Sequence, residues 1–151
     1  LDGEIDEQLV LTSVADNARF EAFGLMDTVF SGQVVKIPRM ITRLRAEGLE
    51  ILSLFSAVSW SLHRAIDMAS QLEQGQRMEQ VFAAQKPPVW QKSQAMMRQA
   101  LMRHDHRQWQ TFLQQMTLVD QAAKGSLPRC PWTLLENLCM QVAGKNELVT
   151  V

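Results

Sequence analysis

The sequence predicts an all-α protein, a helical bundle of about eight helices, on the strength of three observations. Apolar residues recur at steps of three and four along most of the chain, a spacing that places them on one face of successive helices. The composition favours helices over strands, since there are nine methionines and 16 glutamines but no tyrosine. The seven glycines and five prolines lie mostly between the periodic segments, where helices end.

The clearest helix follows Gly48 and continues for about six turns to a stop near Gly75. We expect its apolar stripe to face the core and truncation of Phe55 to cost about 3–5 kcal/mol. The stripe consists of Ile51, Phe55, Val58, Leu62, Ala65, Ala69 and Leu72. The opposite face carries Ser53, Ser56, Ser61 and Asp67. A preceding helix is expected to begin within residues 34–37, because Pro38 fits only a first turn, and to end at Gly48.

Two later helices have clear terminal signals. Asp105-His106-Arg107-Gln108 is typical of a capping box and predicts a helix that ends at Gly125. Its expected core residues are Trp109, Phe112, Met116, Val119 and Ala123. Pro131 predicts the first turn of a last helix that ends at Gly144. Its inward residues are Leu135, Leu138, Cys139 and Val142. Shorter helices are expected at Asp6–Ala15, Phe23–Ser31, Arg77–Gln85 and Val89–Arg103, with a break at Pro87-Pro88.

Composition and charge exclude several classes of protein. With 46% hydrophobic residues in 151, the chain can bury a substantial core, and its net charge of -1 argues against a nucleic-acid-coating protein. No apolar run approaches the roughly 18 residues of a membrane-spanning helix. Two cysteines are too few for a disulfide framework, which favours the cytoplasm. The start, Leu1-Asp2-Gly3-Glu4, is typical neither of an initiator nor of a signal peptide, so we expect the chain to begin within a longer protein.

No residue pattern predicts an active site, a cofactor site or a metal site. A phosphate-binding loop needs Gly-x-x-x-x-Gly-Lys-Ser/Thr, and Gly144-Lys145-Asn146 lacks both the hydroxyl and the preceding glycine, so we expect no ATP binding by this device. His104-Asp105-His106 is interpreted as a solvated helix cap rather than a zinc site, which needs more ligands. His63 is expected to be an ordinary surface histidine and Cys139 a core residue. We therefore expect no catalytic residues and no cofactor.

Four residues are candidates for binding a partner. Lys36, Arg39 and Arg43 fall on one helical face, a pattern that suits phosphates or an acidic protein surface and equally an ordinary solvated face. The four tryptophans are the other candidate anchors, and Trp60 is the best of them because it lies off the apolar stripe of its helix. Trp109 occupies a stripe position and is expected in the core.

Several segments, taken in order, resemble the C-terminal part of the delta subunit of the bacterial DNA polymerase III clamp loader. The resemblance is carried first by Val14-Ala15-Asp16-Asn17-Ala18-Arg19-Phe20, Phe23, and the run from Leu25 to Gly32. It continues through Leu44-Arg45-Ala46-Glu47-Gly48 before the long helix, then Val89-Trp90, Met96-Met97 and Ala100-Leu101-x-Arg103. The chain departs from the family's pattern at Glu21-Ala22, Leu49-Glu50-Ile51 and Ser59-Trp60-Ser61.

The resemblance implies a domain organisation. In this family an N-terminal AAA+-like domain grips the sliding clamp, and a helical lid domain and a helical collar domain follow. Residues 1–18 then correspond to the end of the lid and 19–151 to the collar. An acidic opening segment is consistent with this division, since residues 1–32 contain seven acidic side chains and one basic one.

The function expected from the resemblance is assembly without catalysis. The chain would be the collar of a delta subunit that joins gamma/tau and delta-prime subunits in a replication clamp loader. Contact with the sliding clamp would belong to the N-terminal domain, and nucleotidyl transfer to the DNA polymerase III holoenzyme as a whole. The alternative is a stand-alone helical nucleic-acid-binding module that uses Lys36, Arg39 and Arg43.

Overall fold

The computed structural model describes residues 20–145, and every regular element within this range is an α-helix. The described part of α1 covers residues 20–30, and the helices that follow are α2 (Lys36–Ala46), α3 (Ile51–Glu73), α4 (Met78–Ala84), α5 (Gln91–Arg103), α6 (His106–Ala123) and α7 (Pro131–Val142). The prediction of an all-α bundle is confirmed. The expected helix at Asp6–Ala15, the segment 1–18 and the family-like residues before Phe20 lie outside the described residues.

The ends of the helices agree with their sequence signals. Asp105 caps α6, because its Oδ1 accepts a hydrogen bond from the backbone N–H of Gln108 at 2.7 Å. Pro131 occupies the first turn of α7, where its missing N–H leaves no bond unmade. Pro87 and Pro88 lie between α4 and α5, as predicted. Among α2 to α7, a side-chain hydrogen bond caps the N-terminus of α6 alone. Glycines with positive φ follow the ends of α2, α3, α6 and α7, as the sequence signals predict.

Helix α3 is the centre of the bundle, because α6, α4, α5 and α7 all pack against it. Its 23 residues extend about 34 Å at the usual helical rise. Val58, Leu62, Ala65 and Ala69 are buried, as the stripe predicts. The buried face is nevertheless wider than one stripe and also contains Leu54, Ala57, Ser61, Ile66 and Met68. A helix covered on more than one side needs this wider apolar face.

Two predictions for α3 are wrong for the same reason. Ser61 was expected to face away from the core, yet only 6% of its surface is exposed. Phe55 was expected in the core, yet its ring is only partly buried and packs at the edge of the cluster. The inward direction is rotated toward Leu54, which is fully buried. Because α4, α5, α6 and α7 all pack against α3, more of its circumference is buried than one stripe, and the buried part includes Ser61.

The two C-terminal helices pack as predicted. Trp109, Phe112, Met116 and Val119 of α6 are buried, with Ala122 inside in place of the expected Ala123. In α7 the four predicted inward residues are all buried: Leu135, Leu138, Cys139 and Val142. The α6–α7 pair thereby supplies the second large part of the core, next to the α3–α6 contact.

Arg103 ties the end of α5 to the ends of α1 and α7. Its Nη1 donates to the carbonyl of Val142 at 3.2 Å and its Nη2 donates to the carbonyl of Phe30 at 3.1 Å. These carbonyls belong to last turns, where no helical partner remains and a cation is favoured. A Cβ on Gly32 or Gly144 would approach the Arg103 side chain to 3.0 Å or 3.1 Å, and both glycines have positive φ. A larger residue at either position would therefore have a strained backbone and would press against Arg103.

His104 corrects the interpretation of the His-Asp-His segment. Asp105 caps α6 as predicted, but His104 is partly buried rather than fully solvated. Its Nε2 donates to the carbonyl of Val142 at 2.8 Å, and its ring meets Trp109 and Phe112 edge to face. His104 is thus part of the packed junction between α5, α6 and α7.

Candidate partner-binding surface

Trp60 is an aromatic side chain held in place on the outer surface of α3. It lies off the buried face, as predicted, and 50% of its surface is exposed. The ring of Phe23 packs edge to face against it at 5.7 Å between centroids. The guanidinium of Arg64 lies 5.4 Å from the centre of the Trp60 ring, within the range of a cation–π contact. Two neighbours therefore fix the indole while half of it stays open to solvent.

An open groove of about 710 Å³ lies beside Trp60 and is called here the α3 groove. Its apolar lining comes from α3 and consists of Leu52, Phe55 and Trp60. Its basic lining comes from one helix and two connections between helices, and consists of Arg64 on α3, Lys86 after α4 and Lys124 after α6. The groove thus joins an apolar side to a basic side.

The wall of the α3 groove formed after α4 is fixed to α3 by side-chain hydrogen bonds. Arg64 Nη1 donates to the carbonyl of Pro87 at 2.6 Å. Gln85 is buried, and its Nε2 lies 3.4 Å from Oδ2 of Asp67, which also accepts from Gln71. These bonds hold the segment that presents Lys86 in one position relative to Trp60.

The charge of the α3 groove is positive. Three basic side chains line it against one acidic side chain, Asp120. Asp120 is already paired with Lys124, at 3.0 Å between Oδ1 and Nζ. Burial lowers the pKa of Arg64 from its ordinary value of 12.5, which lies so far above neutrality that the guanidinium keeps its charge. Arg64 and Lys86 therefore give the groove its attraction for anions.

The predicted basic face on α2 lies apart from the α3 groove. Lys36, Arg39 and Arg43 are all exposed, and none of them lines the groove. Arg43 forms an ion pair with Glu47, at 3.8 Å between Nε and Oε1. Arg45 is turned toward α7, where its guanidinium lies 5.1 Å from the centre of the Trp132 ring. The structure therefore offers two separate basic surfaces, and Trp60 belongs to the second.

The two cysteines lie in opposite surroundings. Cys139 is fully buried in the core, as predicted, and burial raises its pKa to about 12, so that it stays a thiol. Cys130 is exposed at the N-terminus of α7, where hydrogen bonds with Thr133 lower its pKa.

Within residues 20–145, no group of three or more His, Cys, Asp or Glu side chains is placed to hold a metal ion. In the same range no helix is long and apolar enough to cross a membrane.

Comparison with known proteins gives no identification. No protein-family model matches the chain, and no curated protein sequence matches it. A proposal about function therefore depends on the residues and on their arrangement in the structure.

Sequence patterns located one member of the α3 groove and missed most of the others. Trp60 was found because a tryptophan off the apolar stripe is conspicuous. Lys86 and Lys124 gave no signal, since each is a single lysine in a connection between helices. His63 was interpreted as a surface histidine, and it is exposed, with Nδ1 donating to the carbonyl of Ser59 at 2.9 Å. Only the packing of α3, α4 and α6 brings these residues to one place.

Proposed function

We propose that this chain is a non-catalytic assembly domain of a replication clamp loader, corresponding to the collar of the delta subunit. The ordered set of segments that resembles this family covers nearly the whole chain, and an all-helical bundle is the architecture that the resemblance implies. In this proposal the chain joins gamma/tau and delta-prime subunits. The parent assembly serves DNA synthesis, while this chain itself transfers no nucleotide and needs no cofactor.

The observation that carries the association part of the proposal is the half-exposed Trp60 beside the α3 groove, at a position where the chain departs from the family's pattern. Tryptophan is enriched among the interface residues that contribute most to the free energy of protein–protein binding. In such interfaces the contacts around these residues exclude water. The contacts with Phe23 and Arg64 order the indole before any partner arrives, so that less conformational entropy is lost on binding. A helical domain that presents such an anchor is well suited to lateral association.

Contact with the sliding clamp is assigned elsewhere in this proposal. In the delta family the clamp is gripped by the N-terminal AAA+-like domain, and no segment of this chain resembles the gripping element. The chain is therefore expected to associate with subunits of the loader and not with the clamp.

Gel filtration and pull-down with separately purified partners test the proposal. The chain, at tens of micromolar, is expected to elute with a gamma/tau or delta-prime collar and to leave the sliding clamp unbound. Trp60→Ala is expected to weaken the association, while Trp90→Ala, which removes an even more exposed tryptophan outside the groove, serves as the control. Retention of the clamp, or no association with any collar, would contradict the proposal.

A nucleic-acid-binding module is the second candidate, and the exposure of Lys36, Arg39 and Arg43 on α2 favours it. Each phosphate neutralised by such a side chain contributes close to one unit to the slope of log affinity against log salt. Titration of duplex DNA at several salt concentrations, with Lys36→Gln and Arg39→Gln as variants, measures that slope. A slope of log affinity against log salt concentration of about three units, with a smaller slope in each variant, would favour this candidate over assembly.

A further inference from the structure

The α3 groove combines an apolar lining with an excess of positive charge, and this combination restricts what it can bind. We infer that it binds an acidic segment of a partner protein in which a large apolar side chain accompanies the carboxylates. The inference deepens the proposed function and rests on it, because the partner segment is expected to belong to an associating subunit.

The apolar part of the α3 groove lies on the surface of α3. Leu52 is 44% exposed and Trp60 is 50% exposed, and Phe55 lies between them on the same lining. Exposed apolar side chains that lie next to one another, rather than singly, are a feature of binding surfaces. An apolar side chain of the partner that covers Leu52 and Phe55 would remove this surface from water.

The charged part of the α3 groove consists of Arg64, Lys86, Asp120 and Lys124. Asp120 is paired with Lys124, which leaves Arg64 and Lys86 as the charges that a partner meets. Arg64 lies over Trp60 and donates to the Pro87 carbonyl, so its position is fixed. Carboxylates complement this rim, whereas a basic segment would be repelled.

A polypeptide fits the α3 groove better than a nucleic acid does. A duplex presents mainly its phosphate backbone, which would satisfy Arg64 and Lys86 but would leave Leu52 and Phe55 without an apolar partner. A single strand, whose bases stack on aromatic side chains, is tested separately below. An acidic protein segment satisfies both halves at once. The lining from Leu52 to Arg64 extends about 18 Å along α3, which corresponds to about three turns of a bound helix.

Direct binding to the full chain tests the inference. The probe is a fluorescein-labelled twelve-residue peptide of glutamate and leucine, and its match is a peptide of lysine and leucine. We expect the acidic peptide to bind at tens of micromolar and the basic one at least about tenfold more weakly. Lys86→Glu and Trp60→Ala are each expected to lower the affinity of the chain for the acidic peptide about tenfold. Lys36→Glu on α2 is expected to change that affinity less than about twofold.

The outcomes separate this inference from the proposed function. Equal affinity for both peptides, or an affinity unchanged by Lys86→Glu and Trp60→Ala, overturns the inference even where the unaltered chain associates with clamp-loader collars. A labelled twelve-nucleotide single strand that binds more tightly than the acidic peptide, and loses that affinity in Lys86→Glu, also overturns it. Binding of the acidic peptide without association with any collar supports the inference and counts against the proposed function.

Discussion

His104 lies between two charged neighbours in the sequence, Arg103 and Asp105. Its imidazole forms a hydrogen bond with a backbone carbonyl. Nε2 of His104 donates to Val142, and the ring lies 5.5 Å from Trp109 and 4.9 Å from Phe112. Burial is the main reason that the pKa of His104 is lowered from its ordinary value of 6.5, outweighing the hydrogen bond to Val142. Because the pKa is lowered from a value already below neutrality, this partly buried side chain is neutral at neutral pH.

This lowered pKa predicts a loss of stability on acidification. Below pH 6.5 the unfolded chain binds a proton at His104 before the folded chain does, so the free energy of unfolding falls as the pH falls through that value toward the native pKa. Urea unfolding between pH 5 and pH 8 measures the effect. His104→Gln keeps a donor for Val142 without a titrating group, and its profile is expected to be flatter. Parallel profiles for the two proteins would contradict this account.

The two cysteines are expected to differ sharply in reactivity. Cys130 is exposed and its pKa is lowered by hydrogen bonds with Thr133, whereas burial raises the pKa of Cys139 to about 12. A colorimetric thiol reagent should therefore modify one thiol quickly in the folded protein and the second only after unfolding. Cys130→Ser is expected to abolish the fast phase. Two fast thiols in the folded chain would show that Cys139 is accessible.

Helix α3 serves two purposes with adjacent residues. Leu54 is fully buried against the bundle, whereas Phe55, the next residue, lies at the edge of the core and lines the α3 groove. A change of about 100° per residue separates their directions. Core packing and the candidate binding surface are thus interleaved along one helix, and single substitutions can separate them.

Leu54→Ala and Phe55→Ala should differ in cost although the residues are neighbours. Leu54→Ala is expected to lower the free energy of unfolding by about 2–5 kcal/mol, because it leaves a cavity where a fully buried side chain packs. Phe55→Ala is expected to cost about 1–2 kcal/mol, since its ring is only partly removed from water. Chemical denaturation of both variants checks the order. A larger loss for Phe55→Ala would mean that the inward face of α3 is assigned incorrectly.

At the scale of the whole molecule, the sequence predicted the helices within residues 20–145 well, because their boundaries are marked locally. Asp105 and Pro131 act within one turn of the helices they start, and glycines such as Gly144 act within one turn of those they end. The inward faces of α6 and α7 also follow from spacing, since each has one apolar stripe. The face of α3 does not follow from spacing, because several helices cover it.

The candidate surface was predictable only in part. Trp60 could be found from its position off the stripe, and the exposure of Lys36, Arg39 and Arg43 agrees with their common helical face. The α3 groove depends on the distance between Trp60, Lys86 and Lys124, which are far apart in the sequence. Long-range packing sets that distance, and no local pattern reports it.

Calorimetric titration of the full chain with a purified gamma/tau collar tests the central claim, association through helical surfaces, most directly. The account predicts a saturable exchange of heat with a dissociation constant of tens of micromolar or tighter. The heat capacity change should be negative, because apolar surface around Trp60 is buried. The same titration with the sliding clamp should give only heats of dilution. Saturable binding to the clamp, or dilution heats with the gamma/tau and delta-prime collars alike, would contradict the account.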